Sequence, residues 1–468
     1  MQMSLAAGDD GRNLGSMIPT SIITRLLGWT VAVFQTIERS GGPIPTGPVL
    51  VVANHPNSLL DPLVIFRVAG RPTRPLAKAP LFEQRVVGSL LRALGGLPVY
   101  RAVDDPAQMH RNEDTFRGAI SALCAGDAVQ IYPEGRSHSE PSLAQLRTGA
   151  ARIALGAEAA SDWQLGLQIV PVGLTFFRKS LFRGQALALI GEPFTIHAFR
   201  DHFETDAVAA ARQLTDLIAS RLAGVTVNTQ EPGDIELIDT AERLYAREKG
   251  STGWRERDPL SARVPRLQAF ARGLAWLRQT DPQHFRGLAA AVRRYRRRAQ
   301  LLGATDADVP PRYSPTEVAA YVVVQGLVLL LLAPLALVGT VLWYPTYFAP
   351  RITLRLVRPE HEAIATYKLA TGFVMVPATV LAAVAVGAIL AGAAGALTAL
   401  VAAPALGLVA MAWHDRRQRA SQDAWLFLRV ITRREHQQRQ ARERNRLAAE
   451  FDDLVEASGV LNDVVTGV

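Results

Sequence analysis

The chain has 468 residues, of which 49% are hydrophobic and 20% are charged. So much apolar surface excludes a chain that is disordered throughout, and a single cysteine excludes a disulfide framework or a cysteine-rich zinc module. The 51 Lys and Arg against 42 Asp and Glu give a formal net charge of +9, which indicates an anionic partner: nucleic acid, membrane headgroups or a phosphorylated substrate.

Near the N-terminus, residues 21–37 form an apolar stretch that contains Arg25. The stretch is too short to span a membrane comfortably, and its apolar positions fit an amphipathic helix lying on a membrane surface. An ordinary helix that docks on the protein core is an equally good interpretation. The polar residues before it lack the apolar segment of a secretory signal, so none is expected.

Short apolar, β-branched runs then alternate with helical stretches, which predicts an α/β fold with a mixed sheet covered by helices. Pro171, inside the fifth predicted strand, favours an edge or bulge position for that strand. Cys124 lies in a predicted helix and is expected to fill the core. The predicted strands are residues 49–53, 74–77, 97–100, 128–132, 168–175 and 186–190, and the predicted helices are 62–68, 82–94, 106–125, 143–159 and 206–222.

The first predicted strand leads directly into a loop that contains His55 and Asp61. A carboxylate that bonds to one imidazole nitrogen fixes the tautomer and leaves the other nitrogen free to take a proton. Because a proline follows Asp61, this residue is also predicted to be the N-cap of the next helix, and the two roles are compatible. The pair is therefore a candidate general base with its orienting carboxylate.

Two further strand ends carry polar residues, and sheets of this kind place their chemistry at the carboxyl ends of strands. Arg101 follows the third predicted strand, where its guanidinium could hold a phosphate through its fork of donors. A loop at residues 133–139 follows the fourth strand, and its glycine would let a ligand approach the backbone closely. The candidates in this loop and in the helix after it are Glu134, Gly135, Arg136, Ser137 and Arg147.

The C-terminal half alternates basic and apolar segments. Residues 241–303 carry 15 basic and 5 acidic residues, and residues 414–446 carry 10 and 4. Between these two segments lie two charge-free blocks, residues 318–350 and 369–413. A bilayer core needs about 20 apolar residues per helix, so both blocks predict membrane spans. A buried core helix of a soluble protein is the alternative, but such helices rarely stay uncharged for so long.

The number of spans is left open by the sequence. The second block is long enough for two spans that turn near Gly392, and the first could be one tilted span or a hairpin that breaks between Pro334 and Gly339. Lysine and arginine near span ends favour the cytoplasmic side. Three simple spans would put the α/β domain and the basic C-terminal tail on opposite sides, whereas two hairpins would keep them together.

Four sequence blocks occur in the order that is typical of the phospholipid/glycerol acyltransferase superfamily. They are Asn-His…Asp at residues 54–61, Leu-Pro-Val-x-Arg at 97–101, Pro-Glu-Gly at 133–135 and Val-Pro-Val at 170–172. As a set they resemble most the fungal-type membrane glycerol-3-phosphate and dihydroxyacetone-phosphate acyltransferases and their bacterial relatives. Two departures mark this chain: five residues, instead of the usual four, separate the histidine from the aspartate, and Arg-Ser-His replaces Thr-Arg-Ser after the glycine.

The resemblance implies a mechanism without a covalent enzyme intermediate. The nine histidines are scattered along the sequence, so no metal is expected, and no cofactor is expected besides the acyl thioester. His55 would be the general base and Asp61 would orient it, while a glycerol hydroxyl attacks the thioester of acyl-CoA or acyl carrier protein. The residues that would bind the phosphorylated substrate or shape its pocket are Lys78, Arg101, Glu134, Gly135, Arg136, Ser137 and Arg147.

The expected reaction is acylation of the sn-1 hydroxyl of glycerol 3-phosphate or dihydroxyacetone phosphate in phospholipid biosynthesis. The alternatives are acylation of lysophosphatidate and a non-catalytic, lipid-binding membrane protein on the same fold. The Arg-rich segment lacks aromatic interleaving and nucleic-acid motifs, so anionic membrane lipids, and not nucleic acid, are its expected partner. The expected location is the cell inner membrane, with the catalytic domain facing the cytoplasm.

Five parts make up the predicted organisation of the chain. An N-terminal tail and the amphipathic helix occupy residues 1–40, and the acyltransferase domain occupies 41–225. An Arg-rich helical region at 226–315, transmembrane segments at 316–413 and a basic helical tail at 414–468 complete it.

Overall fold

The computed structural model describes residues 20–101, 106–138, 140, 142–177, 184–231, 233–249, 260–301, 315–358, 364–432 and 434–458. They fall into two units. The first unit holds the described residues up to His138 and from Leu143 to Thr226, and the second holds Glu140, Ser142 and those from Val227 onwards.

An eight-stranded mixed sheet organises the first unit, in the order β1-β7-β6-β2-β5-β3-β4 with β8 paired to β6. Strands β7 and β8 run antiparallel to β6, and all the other paired strands are parallel. The predicted mixed sheet is confirmed, and β1 and β8 were not predicted. The strands are β1 Gln35–Ser40, β2 Val49–Ala53, β3 Thr73–Lys78, β4 Leu97–Val99, β5 Ala128–Ile131, β6 Gln168–Phe177, β7 Gly184–Ile190 and β8 Phe194–Thr195.

Helices cover the sheet, and the core lies between them and the central strands. All five residues of β2 are buried, as its unbroken apolar sequence predicts for a parallel strand that is covered on both faces. Leu50 and Val52 share one apolar cluster with residues of α5, α6 and α8, such as Leu123, Leu155 and Leu214. The helices are α1 Thr20–Phe34, α2 Leu60–Val68, α3 Pro80–Glu83, α4 Arg85–Ala93, α5 Asn112–Cys124, α6 Gly149–Ala160, α7 Arg200–Thr205 and α8 Ala207–Gly224.

Helix α1 docks on α2, so the interpretation of this segment as a helix that docks on the protein core is confirmed. Thr24, Leu27 and Val31 are buried, and a Cβ at Gly28 would lie 3.1 Å from the Cα of Arg67. The helix ends at Phe34 and the chain continues as β1, so the prediction of a helix as far as residue 37 is wrong beyond that point. A role for α1 at a membrane surface stays a prediction.

Pro171 lies in an interior strand, so the prediction of an edge position is wrong. Strand β6 pairs with β2 on one side, while β8 and then β7 follow each other along the other side. The carbonyl of Pro171 accepts from the N–H of Gly191, just after β7, at 2.8 Å. A backbone N–H at residue 171 would point to this same side of β6. It would lie between Ile169, the last residue paired with β8, and Val172, the first paired with β7. Proline therefore costs the sheet no hydrogen bond here.

Three helix predictions need correction. The helix predicted to begin at residue 143 begins at Gly149, because the N–H groups of Ala144 and Arg147 donate to the 133–134 loop instead of to a helical carbonyl. Extended backbone at Gln84 divides the predicted helix 82–94 into α3 and α4. The segment 106–125 starts as a 3-10 helix, and Cys124 near its end is exposed, so its assignment to the core is wrong.

In the second unit, four helices pack around an apolar core. Phe270 and Phe451 meet edge to face with ring centroids 5.1 Å apart, and Tyr295 is fully buried. Burial and hydrogen bonding to Asp452 raise the pKa of Tyr245 to about 12. The four helices are α9 Asp234–Glu248, α10 Leu260–Thr280, α11 Pro282–Leu301 and α14 Arg434–Ser458.

Much of the charge of the Arg-rich segment is neutralised inside this bundle. The fully buried Glu242 carboxylate pairs with Arg263 at 2.5 Å and with Arg266 at 2.8 Å. Burial alone would lower the pKa of Arg263, but the carboxylates of Glu242 and Asp239 outweigh it and raise the pKa above its usual value. The segment is therefore not simply a solvated or lipid-facing surface. Two further pairs in the bundle are at least partly buried, Arg278 with Asp234 and Arg444 with Glu248. The pair of Arg296 with Glu236 is more exposed.

Two further helices of the second unit are long and apolar enough to cross a membrane: α12 Pro315–Val357 and α13 Ile364–Thr432. Only 11% and 6% of their most apolar windows are buried, which contrasts with the core helices of soluble proteins. Helix α12 runs on through its prolines, so a hairpin inside the first apolar block is excluded. Helix α13 breaks at Ala391 and Gly392, which confirms the predicted turn.

Candidate active site

The loops after β2 and β5 meet at one edge of the sheet. The two strands are parallel neighbours, with Val52 opposite Ile131, so the backbone leaves the sheet at the same end after each of them. The amide of Asn54 fixes the first loop where it starts: it donates to the carbonyl of Leu174 at 2.9 Å and accepts from the N–H of the same residue at 2.6 Å. This position had no assigned role in the sequence analysis, although its side chain anchors the loop to β6.

His55 and Asp61 contact each other directly. The distance from His55 Nδ1 to Asp61 Oδ2 is 2.7 Å, and the carboxylate is fully buried while 20% of the imidazole side chain is exposed. Asp61 Oδ2 also accepts from the N–H of Asn57 at 2.8 Å. This carboxylate can therefore fix the tautomer of the ring, leaving Nε2 as the proton acceptor. The five-residue spacing between the two residues still brings them together.

The predicted N-cap role of Asp61 is wrong. Helix α2 begins one residue earlier, at Leu60, and the residue at the cap position, Leu59, makes no side-chain cap bond. Asp61 instead lies in the first helical turn, where the positive end of the helix dipole favours its negative charge. Its carboxylate bonds back to the loop, because the backbone turns sharply there: Ser58 has a φ of +43°.

A tyrosine that the sequence analysis assigned only to a strand forms one wall of the site. The ring of Tyr132 stacks on that of His55, with 4.2 Å between centroids and 20° between planes. Burial, and then the charge of Asp61, raise the pKa of the Tyr132 phenol well above its ordinary value, so the phenol stays neutral. Its position directly after β5, level with the loop after β2, is the signal that could have identified it.

Glu134 connects three segments of the site. Its Oε1 accepts from the N–H of His55 at 2.8 Å, and its Oε2 accepts from the N–H of Ala144 at 2.8 Å. Oε2 also contacts Nε2 of His138. The side chain is almost completely buried, so the contact that Glu134 makes with the site is through the backbone of His55.

The glycine of this loop is required by its conformation and by its neighbour. Gly135 has a φ of +71°, and a Cβ there would lie 2.7 Å from Nε of Arg147. The N–H of Arg147 donates to the carbonyl of Pro133 at 2.8 Å, which holds the arginine over the loop. Arg136 is exposed in the same loop, and Ser137 Oγ accepts from the N–H of Ser58 at 2.9 Å.

Lys78 and Arg101 lie on the same edge, farther along the sheet. Lys78 ends β3 opposite Val99 of β4, and Arg101 follows β4. Neighbouring strands are about 4.8 Å apart, so the two residues begin about 10 and 14 Å from β2. The structure thus brings His55, Asp61 and Glu134 into direct contact and places Gly135, Ser137 and Arg147 beside them. It leaves Lys78 and Arg101 at longer range. Within the described ranges, no three His, Cys, Asp or Glu side chains converge as metal ligands would.

Comparison with known proteins relates this unit to acyltransferases. Residues 36–175 match the family model described as Acyltransferase, so the resemblance predicted from the four blocks is confirmed. The chain is 27% identical over 283 residues to glycerol-3-phosphate O-acyltransferase 2 of Saccharomyces cerevisiae, which covers 57% of this chain and 37% of the relative. It is 25% identical to glycerol-3-phosphate O-acyltransferase 1 of the same yeast over 56% of this chain and 35% of the relative.

An uncharacterised acyltransferase of Schizosaccharomyces pombe is 24% identical over 71% of this chain and 62% of its own length. The alignments thus span less than two thirds of each of these curated relatives. Among solved structures, the 1-acyl-sn-glycerophosphate acyltransferase of Thermotoga maritima is 20% identical, with a TM-score of 0.30, over 42% of this chain and 79% of that chain.

Proposed function

We propose that this membrane acyltransferase moves a fatty acyl group from a thioester, either acyl-CoA or acyl carrier protein, to the sn-1 hydroxyl of glycerol 3-phosphate or dihydroxyacetone phosphate. The observation that carries the proposal is the His55–Asp61 pair, whose imidazole is partly exposed at the carboxyl edge of the sheet while its carboxylate is buried. The names of the two Saccharomyces relatives support the class of acceptor.

In the proposed reaction, Nε2 of His55 removes the proton of the acceptor hydroxyl as its oxygen attacks the thioester carbonyl. The new C–O bond forms, the C–S bond breaks, and the departing thiolate receives the proton from the imidazolium. Asp61, at 2.7 Å from Nδ1, stabilises the positive ring and keeps it oriented. The neutral Tyr132 ring covers one face of the imidazole and restricts its rotation.

The acceptor phosphate would bind to cations at the same edge. Arg147 lies over the loop at Gly135, and Arg136 is exposed one residue farther along that loop. Arg101 and Lys78 extend the positive surface along β4 and β3. Arginine suits this task because its planar fork makes paired, charge-assisted bonds to phosphate oxygens. A small acceptor has little apolar area, so these bonds would supply most of its binding energy.

The proposed location is the cell inner membrane with the catalytic unit on the cytoplasmic side. Helices α12 and α13 would insert in the bilayer, and the basic residues that flank them favour the cytoplasmic side. Anionic headgroups would attract exposed arginines such as Arg293, Arg294 and Arg297 on α11.

The test offers three radiolabelled acceptors in parallel to the full chain in membranes or detergent: glycerol 3-phosphate, dihydroxyacetone phosphate and lysophosphatidate. Each is assayed with acyl-CoA and with acyl carrier protein as donor. We expect acylation of one of the two small acceptors and no turnover by His55→Ala. Robust acylation of lysophosphatidate alone would replace the proposed acceptor. Lipid binding without transfer to any acceptor would make the chain a non-catalytic, lipid-binding protein.

A further inference from the structure

The short segment 134–138 holds the backbone of His55 at both of its polar groups. The N–H of His55 donates to Oε1 of Glu134 at 2.8 Å. The carbonyl of His55 accepts from the N–H of His138 at 3.1 Å. A residue held in this way at its N–H and its carbonyl has little freedom to rotate about its own backbone, so the direction of its side chain is fixed from the backbone outwards.

The side chain of His138 contributes to the same arrangement through Glu134. Its ring is buried, and Nε2 contacts Oε2 of Glu134, the carboxylate whose other oxygen holds His55. The N–H of Ala144 donates to that same Oε2 at 2.8 Å. Burial of a polar ring is costly unless the ring is hydrogen-bonded, and here Glu134 is the partner. His138 therefore contacts the base through its own backbone and also through Glu134.

We infer that His138 is a positioning residue for the reaction proposed above. Its ring holds the Glu134 carboxylate in the orientation that receives the N–H of His55, and its N–H fixes the carbonyl of His55. The catalytic imidazole is thereby aimed at the acceptor hydroxyl, while the buried ring of His138 contacts Glu134. This role rests on the proposed function, because it assigns His55 as the base.

A positioning role has a kinetic signature that a role in phosphate binding lacks. A small displacement of the base affects the chemical step and can cost up to about 100-fold in rate. The ground-state binding of the acceptor should change little, because the loop cations are not altered. The inference therefore predicts a lower kcat at a nearly constant KM for the acceptor.

The experiment compares His138→Ala, His138→Asn and His138→Gln in the full chain, with the small acceptor that the wild type uses. The side-chain amide of glutamine can still donate to Glu134, whereas that of asparagine is too short to reach it. We expect kcat to fall about 10- to 100-fold for the alanine and asparagine variants, with KM within about 2-fold, and glutamine to restore most of the activity. His110→Ala, at an exposed histidine of the same unit, is the matched control and should keep the wild-type kcat.

Thermal melting of each variant separates misfolding from mispositioning. If the alanine variant does not fold, the asparagine and glutamine variants decide. A folded asparagine variant with unchanged kcat would overturn the inference, and so would a folded glutamine variant as slow as asparagine or a large rise in KM. Wild-type protein that acylates none of the offered acceptors would instead refute the proposed function, and with it the role of His138.

Discussion

The phenol ring of Tyr132 lies almost parallel to the imidazole of His55, with 4.2 Å between the ring centroids. Its hydroxyl donates to Oε1 of Gln130 at 3.3 Å. The ring and the hydroxyl therefore have separate partners, and substitutions can separate their effects.

For Tyr132→Phe we expect kcat to stay within about 2-fold of the wild type, because the stacked ring is retained, while the protein loses about 1 kcal/mol of stability with the buried hydrogen bond. Tyr132→Leu removes the stacking, whose contribution of about 0.5–1.5 kcal/mol corresponds to a roughly 2- to 10-fold lower kcat. Steady-state kinetics and thermal melting measure the two effects. Equal kcat values for the phenylalanine and leucine variants would show that stacking has no part in orienting the base.

The central pair predicts the largest loss of activity. His55→Ala should reduce kcat by about 10²–10⁴-fold, since it removes the proton acceptor. Asp61→Asn should lose a similar amount or less, because the amide can hold the ring in the wrong tautomer. The measurement is acyl transfer in membranes that contain equal amounts of folded protein, as judged by thermal melting. Activity of His55→Ala close to that of the wild type would contradict the mechanism.

Arg101 tests the phosphate site. Arg101→Ala should raise the KM of the acceptor steeply, at an almost unchanged KM of the acyl donor, because a lost charge-assisted bond weakens only phosphate binding. Arg101→Lys should restore binding only in part, since a point charge does not reproduce the paired fork. The matched control is Arg117→Ala, an exposed arginine of α5 that pairs with Asp114. A parallel rise in both KM values would assign Arg101 to the structure of the loop and not to the phosphate.

Glu242 tests the ion pairs of the second unit. Its carboxylate is fully buried between Arg263 and Arg266, so Glu242→Ala leaves two guanidinium groups without their main partner. The expected loss is about 3–5 kcal/mol of stability, measured as a lower melting temperature. Glu236→Ala, at an exposed carboxylate that pairs with Arg296, should cost at most about 1 kcal/mol. Similar losses in the two variants would mean that burial does not decide the strength of these pairs.

Washing of membranes tests the apolar helices. The chain should stay in the membrane pellet through high salt and through alkaline carbonate, because α12 and α13 expose large apolar side chains such as Leu331 and Ile389. High salt screens the attraction between arginines and headgroups, so it reports on the basic surface alone. Release by salt without alkali would show that electrostatic attraction, and not insertion, holds the protein.

The sequence predicts the site well wherever chemistry and local pattern coincide. Strand β2 was predicted with its observed bounds because an unbroken apolar run of five residues has few alternatives. The pairing of His55 with Asp61 follows from their positions after that strand. The sequence does not reveal β1, whose residues are mostly polar, since this strand forms only because β7 lies beside it.

Other features depend on contacts between segments that are distant in the chain. Residues 143–148 have a helical composition but are held by the loop after β5, through the bond from Ala144 to Glu134. The charges of the Arg-rich segment suggested a surface, yet Arg263 is buried against Glu242, 21 positions earlier. No local pattern distinguishes such arginines from those that face solvent, because the difference lies in where the helices meet.

The break in α13 predicts which part of this helix could lie at the surface of a bilayer. The two non-helical residues, Ala391 and Gly392, interrupt the helical hydrogen bonds, and the free backbone groups need water or headgroups as partners. The break is therefore stable at the interface and costly in the middle of the hydrocarbon. One turn without a single charged side chain thus marks the level at which α13 would have to meet a membrane surface.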